Sequence, residues 1–332
     1  MTKYIIKRIL LSVLILFFVS LILYILIRCM PVDYVTNKFN EANANGANMT
    51  EEDLKRLLAI YGLEDSSFGG IIKGYFGWLG NFFKGDLGTS FKSGNPVTQV
   101  IGDTMGISFG IAFVALIFEI IIAIPLGIKC AVNQYGKFDY ATTVLCMTLM
   151  AFPSFFLGNI FIKIFAVDLG WFEIGGLNSG NLQNVSFFVR LGDTIWHLIL
   201  PILVMVLLDI GPLMRYTRTN TLEVLNADYI RTARAKGLSE GKVVYKHVFR
   251  NTLIPLITLL SSTLPTLFGG AMITETVFAI PGIGNTAYEA LKIGDIPLAM
   301  GYNMFLAILT VIGILLADIM YAVVDPRVKL GK

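Results

Sequence analysis

The segment DYIRTARAKGLSEGKVVYKHVFRN, residues 228–251, is basic and polar, yet it stands between two strongly apolar parts of the chain. Its pattern predicts short helical pieces on either side of Gly237, and its charges keep it out of the hydrocarbon core of a membrane. A helix parallel to a membrane surface fits this pattern, because Ala233 and Ala235 permit close approach while the basic side chains favour anionic headgroups or a partner. On the residues alone, an ordinary basic loop is an equally good interpretation.

The rest of the chain has the composition of a membrane protein. Of its 332 residues, 55% are hydrophobic and 15% are charged, and the mean hydropathy is +0.71. A soluble fold of this length could not bury so much apolar surface, and several runs lack charge for the ~18–20 residues that a helix needs to cross a bilayer. We therefore predict an all-α membrane protein with six transmembrane spans, at residues 9–29, 106–128, 140–166, 195–215, 253–274 and 300–322.

The first apolar run is predicted to be an uncleaved span, since it exceeds the ~7–15 residues of a signal-peptide core and no small-residue cleavage site follows it. Most of the 26 lysines and arginines lie in short segments on one side of the predicted membrane, which places both termini in the cytoplasm. This topology divides the chain into four parts. Residues 1–30 form the N-terminal end with the first span, and residues 31–105 form an extracytoplasmic segment. Residues 106–324 form a five-span core with the cytoplasmic loop 216–252, and residues 325–332 form a cytoplasmic tail.

Two stretches of the extracytoplasmic segment have readable patterns. MTEEDLKRLLAIYGL, residues 49–63, predicts a helix with Thr50 as its N-cap, acidic residues in the first turn and Gly62 as its stop. GYFGWLGNFFKGDLGTSF, residues 74–91, is rich in glycine and aromatic residues and suits a membrane interface or the surface of a partner.

Several motifs suggest chemistry that their context does not support. GISFG, residues 106–110, matches the nucleophile pattern G-x-S-x-G but opens a predicted span; a dyad of Ser108 with His197 would define an intramembrane serine protease, whereas helix packing by small residues is the simpler interpretation. GLSEGKV lacks the spacing and the final Ser or Thr of a phosphate loop, so energy for transport must come from an ion gradient or another subunit. The cysteines show no C-x-x-C spacing and predict apolar packing, without disulfide or metal: Cys29, Cys130 and Cys146.

Three acidic residues, Glu119, Asp209 and Asp318, fall within predicted spans. Each should cost about 2.5–3.5 kcal/mol at the membrane centre, so each is expected to face protein or water. They could pack between helices or subunits, line a polar pathway, or form a proton or sodium relay. We take them as pathway candidates.

The order of several motifs along the chain resembles the peptide permease family of ABC importers, which carries dipeptides, oligopeptides or nickel. The resemblance extends nearly from end to end. It is carried by DYIRTARAKGLS with HVFRNTLIPL, and by RCMPVDYV, YGL, GDLGTSF, PLG, FPSFFLG, ETVFAIPGIG and DIMYAVVDPRV.

This resemblance implies a type I ABC importer permease fold in a bacterial plasma membrane. The stretch around Gly237 would be a coupling helix that sits in a groove of a separate ATPase subunit. Expected partners are a second homologous permease, two ATPase subunits that hold ATP and magnesium, an external peptide-binding protein and membrane lipid; no cofactor in this chain and no nucleic acid is expected. The residues expected to dock on the ATPase are Arg231, Thr232, Ala233, Arg234, Ala235, Lys236, Gly237 and Leu238.

The chain departs from the general importer signature E-A-A-x-x-x-G at two positions. Ala233 and Gly237 match the second alanine and the glycine, whereas Arg231 and Thr232 replace the glutamate and the first alanine. An arginine needs an acidic or backbone-carbonyl partner on the ATPase, where a glutamate would need a donor. Nickel transport, a proton-coupled secondary transporter and the serine protease are the alternatives to peptide import.

Overall fold

The computed structural model describes residues 2–30, 34–45, 50–61, 63, 65, 67–180 and 185–324, with side chains for all of these except 2–7, 254, 257–258, 261–262, 264–265 and 317–324. Throughout this described part the regular structure is helical, and the one β-bridge recorded in it joins Thr89 to Pro96. The predicted all-α class is therefore confirmed for these residues. The predicted tail 325–332 lies outside them.

The N-terminal part contains one long helix and three short ones: α1 Thr2–Arg28, α2 Tyr34–Ala44, α3 Glu51–Ile60 and α4 Phe68–Phe82. Thr50 caps α3 as predicted, because its hydroxyl accepts from the Asp53 N–H while the Asp53 carboxylate accepts from the Thr50 N–H at 2.9 Å. The hydrogen bonds that the Asp53 carboxylate accepts from the Thr50 N–H and from the Thr50 hydroxyl hold the pKa of Asp53 below its usual value. Gly62, the predicted stop, lies outside the described residues.

Two long helices, α5 (Val97–Val132) and α8 (Phe187–Leu225), form the centre of the fold. They approach closely at Gly127, where an added Cβ would lie 2.6 Å from the Met214 carbonyl oxygen and 2.7 Å from Thr217 Cβ. No side chain fits there, so glycine sets the distance between the two helices. The apolar core around this contact includes Ile124, Ile128, Ile210 and Leu213.

The predicted third span is a pair of helices rather than one. α6 (Lys137–Met150) and α7 (Ser154–Phe161, continued by a π-helical turn to Asp168) meet at an angle of 98°. Pro153 stands at the break, where its ring and missing N–H prevent α6 from continuing. The bend brings Gly158 of α7 close to the side chains of Val277 and Phe278.

The C-terminal half contains a helical loop, a broken helix and a long final helix. Its elements are α9 Asp228–Ala235, α10 Glu240–Lys242, a π-helical segment Val243–Val248, α11 Phe249–Ser262, α12 Leu264–Gly269, α13 Met272–Val277, α14 Ile283–Ile293 and α15 Ile296–Val324.

Four described helices are long and apolar enough to cross a membrane: Arg8–Arg28, Val97–Val132, Phe187–Leu225 and Ile296–Leu316. A fifth candidate is the bent pair of α6 and α7, Lys137–Met150 plus Ser154–Asp168. The span expected at 253–274 is divided at Thr263 into α11 and α12, and neither piece is long enough by itself. The total of six spans therefore stays a prediction.

Candidate functional site: the basic loop and the adjacent cavity

The α9 helix is amphipathic, and its apolar face is buried against the chain itself. Ile230 and Ala233 are 0% and 7% exposed and pack with Val243 and Val248 of the π-helical segment. Leu238 lies at the edge of the same cluster. Ala233, which the sequence placed in a docking surface, thus contacts the body of this chain. The residues that α9 and its C-cap leave exposed are Asp228, Tyr229, Arg231, Thr232, Arg234, Ala235 and Lys236.

A left-handed turn at Gly237 ends this helix. Gly237 has φ of +76°, and an added Cβ there would meet no atom within 4 Å. The turn follows directly on Lys236, the C-cap of α9. Beyond it, Arg234 Nε donates to Glu240 Oε1 at 2.8 Å and ties α9 to α10. The loop is therefore helical before and after Gly237, as its pattern predicted, and several basic side chains lie on its exposed face.

A buried ion pair holds the base of this loop. Arg218 lies on α8, ten residues before Asp228, and donates through Nε and Nη2 to both oxygens of Asp139, each at 2.7 Å. The Asp139 side chain is only 5% exposed and also accepts from the Tyr135 N–H at 3.0 Å. This bidentate contact fastens the turn between α5 and α6 to the helix that leads into α9.

A cavity of about 540 Å³ lies between α5, α8, α11 and α12. Glu119 on α5 and Asp209 on α8 line it, together with apolar side chains and a few hydroxyls, and none of its described lining residues is basic. Two of the three pathway candidates thus share one cavity. Asp318 lies on α15, but its side chain falls outside the described residues.

Ser108 takes part in a buried structural network. Its hydroxyl donates to Glu275 Oε1 at 2.7 Å and accepts from the Ile283 N–H at 2.8 Å. His197 Nδ1 lies 2.8 Å from the Asp193 carbonyl oxygen, within its own helix. In the described residues, no hydrogen bond joins Ser108 to His197, so the geometry supplies no serine–histidine dyad.

Glu275, which the sequence did not single out, is the centre of this network. It is 2% exposed, and its carboxylate also accepts from the N–H groups of Ala271 at 3.1 Å and Asn285 at 2.9 Å. A Cβ added at Gly282 would lie 2.4 Å from Glu275 Oε2, which explains the glycine spacing of PGIGN. In the sequence, the signal that could have revealed this network was the pair of glycines in PGIGN shortly after Glu275.

The cysteines lie apart from the loop and the cavity. Cys130 and Cys146 are buried in the core around α5 and α8, and Cys29 is exposed. No group of three His, Cys, Asp or Glu residues in the described part of the chain is arranged to hold a metal ion.

The comparisons with known proteins agree with this geometry. The sequence matches an oligopeptide transport system permease protein, AppB, of Bacillus subtilis (strain 168), at 37% identity over 99% of this chain and 100% of the relative. A putative peptide transport system permease protein of Brucella abortus (strain 2308) is 32% identical over 99% of each chain. A dipeptide transport system permease protein, DppB, of Alkalihalophilus pseudofirmus is 34% identical over 74% of this chain and 78% of the relative.

A solved structure shows the same fold. The MetNI methionine ABC transporter, in inward-facing conformations, contains a chain that matches with a TM-score of 0.52 at 19% identity, over 70% of this chain and 98% of the other. Residues 123–330 match the sequence pattern of one family, described as binding-protein-dependent transport system inner membrane component. Such proteins are transport components rather than enzymes, which excludes the serine protease. The chain belongs to this family, as the signature motifs predicted.

Proposed function

We propose that this chain is one of two permease subunits in an ATP-driven importer of peptides. The relatives that it matches over nearly their whole length carry peptide transport in their names. The observation that carries the proposal is the exposed basic face of α9. This helix follows directly on α8, whose side chains line the cavity. The other subunits would be a second homologous permease, two ATPases that bind ATP and magnesium, and an external peptide-binding protein. The membrane arrangement has six spans with both termini in the cytoplasm.

The docking surface consists of exposed residues of α9 together with Lys236 and Gly237, which follow it. Arg231, Thr232, Ala235 and Lys236 face outward and would enter the ATPase groove. Ala233 and Leu238 keep α9 seated on the permease, and Arg234 is engaged with Glu240. Arg231 lies 3.6 Å from Asp228, but both side chains are exposed, so a carboxylate of the ATPase can replace this contact. The ATPase groove should therefore present carboxylates or carbonyl oxygens to Arg231 and Lys236.

The subunit composition is tested by gentle affinity purification from the native membrane, followed by mass spectrometry. We expect a second permease and an ATPase with a G-x-x-x-x-G-K-[ST] sequence to accompany this chain. Recovery of this chain alone from several mild detergents would favour a secondary transporter. In that case, uptake should collapse with an uncoupler while ATP is held constant.

The cavity would form part of the peptide pathway. Glu119 and Asp209 would contact the ammonium group of a passing peptide, since both line the cavity and no described residue there carries positive charge. Glu119→Gln or Asp209→Asn should lower uptake about tenfold, the equivalent of about 1.4 kcal/mol for one charge-assisted hydrogen bond. The measurement is uptake of labelled peptide into proteoliposomes, with co-purification of the ATPase as the check on assembly.

The matched control is Glu41→Gln, an exposed acid of α2 outside the cavity lining. It removes the same charge and should leave uptake unchanged. Unchanged uptake in Glu119→Gln and Asp209→Asn would remove both residues from the pathway.

A further inference from the structure

The short helix α4 lies beside α1 at a depth that belongs to the membrane. The Tyr75 hydroxyl lies 2.9 Å from Ser20 Oγ and 3.2 Å from the Phe17 carbonyl oxygen. Ser20 stands eight residues before Arg28, or about 12 Å along the helix axis. Between Arg8 and Arg28 α1 carries no charged residue, and this 21-residue length matches the ~30 Å hydrocarbon core. The Tyr75 side chain therefore reaches well below the surface.

Both ends of α4 return to the same side of the membrane. Before α4, the Asp65 carbonyl oxygen accepts from Arg28 Nη2 at 3.1 Å, at the end of α1. After α4, Ser90 Oγ donates to Asp295 Oδ2 at 2.6 Å, at the start of α15. The helix has 15 residues and is about 22 Å long, which is too short to cross the bilayer. It must therefore lie within one leaflet.

The two faces of α4 differ in what they contact. Ile71 and Tyr75 are 5% and 0% exposed and pack on α1 and α15. Beside this buried face, Phe68, Phe76 and Phe83 are 71%, 56% and 78% exposed, and they fall within about 80° on the helical projection, starting about 20° from Tyr75. At the depth of this helix, water cannot solvate this stripe, and acyl chains can.

We propose that α4 is a membrane-embedded half-helix whose phenylalanine stripe contacts the acyl chains of one leaflet. Exposed Lys73 and Lys84 lie along one edge of the stripe, and their long side chains can extend the ammonium groups to the lipid phosphates. Under the topology of the proposed function this is the outer leaflet; the embedding itself rests only on the contacts with α1. The segment between the first two spans is then partly a lipid-facing structure rather than wholly an aqueous one.

Spin-label accessibility of the complete transporter in lipid nanodiscs tests this proposal. Cysteine is introduced singly at Phe76 or Phe83 in a chain whose own three cysteines are replaced, and a nitroxide is attached. Collisions with oxygen, which partitions into acyl chains, are compared with collisions of water-soluble chromium oxalate. We expect oxygen to dominate at both sites. Ile60 on α3, which is 76% exposed, is the matched control and should show the reverse.

Two results would overturn the proposal. Dominance of chromium oxalate at Phe76 and Phe83 would place the stripe in water, and low collision rates for both reagents would mean that another protein chain covers it. If either variant fails to fold, Phe68→Cys provides a third site on the stripe. Because the readout needs no ATPase activity, it can fail or succeed independently of the proposed transport function.

Discussion

Gly237→Arg should abolish peptide uptake although the variant chain still inserts into the membrane. Gly237 has φ of +76°, a conformation that costs about 1–2 kcal/mol for residues with a Cβ. The space around it is open in this chain, so the arginine would project from the end of α9 toward the ATPase. We expect the variant to be recovered from membranes in normal amount, with loss of co-purified ATPase and uptake at background.

Two further variants distinguish the loss of the left-handed turn in Gly237→Arg from the effect of the larger side chain. Gly237→Asn should retain most uptake, because asparagine tolerates the left-handed conformation and is small. Gly241→Arg adds the same side chain four residues away, on α10, at a glycine without positive φ and with open space. It should also retain uptake. Normal uptake by Gly237→Arg would remove this turn from the docking surface, and equal losses at both glycines would show only a general intolerance of bulk.

Asp139→Ala should destabilise the chain more than any other single change considered. It leaves the Arg218 guanidinium, which makes both of its 2.7 Å hydrogen bonds to Asp139, without a partner in a largely buried site. Loss of one member of such a pair lowers the free energy of unfolding by about 3–5 kcal/mol. Thermal unfolding of the purified variant in nanodiscs, compared with the unaltered chain, measures this loss.

The double variant Asp139→Ala with Arg218→Met is the informative control. It removes both charges and replaces the guanidinium with an apolar side chain of similar length, so it should be clearly more stable than Asp139→Ala alone. A single variant as stable as the unaltered chain would contradict the structural role given to this pair. Because the pair fastens the base of the loop, uptake should follow the same order as stability.

Sequence reasoning succeeded where the signal was local. The Thr50 cap of α3 follows from a hydroxyl placed before an acidic first turn, and the end of α9 follows from a glycine after a basic turn. The family follows from motifs whose order is itself the evidence. The cap and the helix end are each contained within about a dozen residues, so capping preferences are enough to find them, whereas the family rests on motifs spread along nearly the whole chain.

Features that depend on distant residues were not predicted. Arg218 counted only as one of many basic residues, because nothing local reveals that Asp139, 79 positions away, is its partner. Ser108 looked like a nucleophile or a packing residue, and its partner Glu275 is 167 positions away. Ala233 was assigned to a docking surface from the signature alone, whereas the packing of Val243 and Val248 decides which face of α9 is buried.

α8 is long enough to transmit a displacement of its cytoplasmic end to the membrane, and Pro212 makes it easier to bend between the two. Its 39 residues extend for about 58 Å, well beyond the ~30 Å of hydrocarbon, so its last turns stand outside the bilayer. Pro212, a cavity-lining residue inside this helix, removes one backbone hydrogen bond between the Leu225 end of α8 and its membrane portion. A rotation of about 10° at that joint displaces the Leu225 end by about 3 Å. The bending stiffness of α8 at Pro212 would therefore determine how much of a displacement of α9 moves the walls of the cavity and how much only bends the helix.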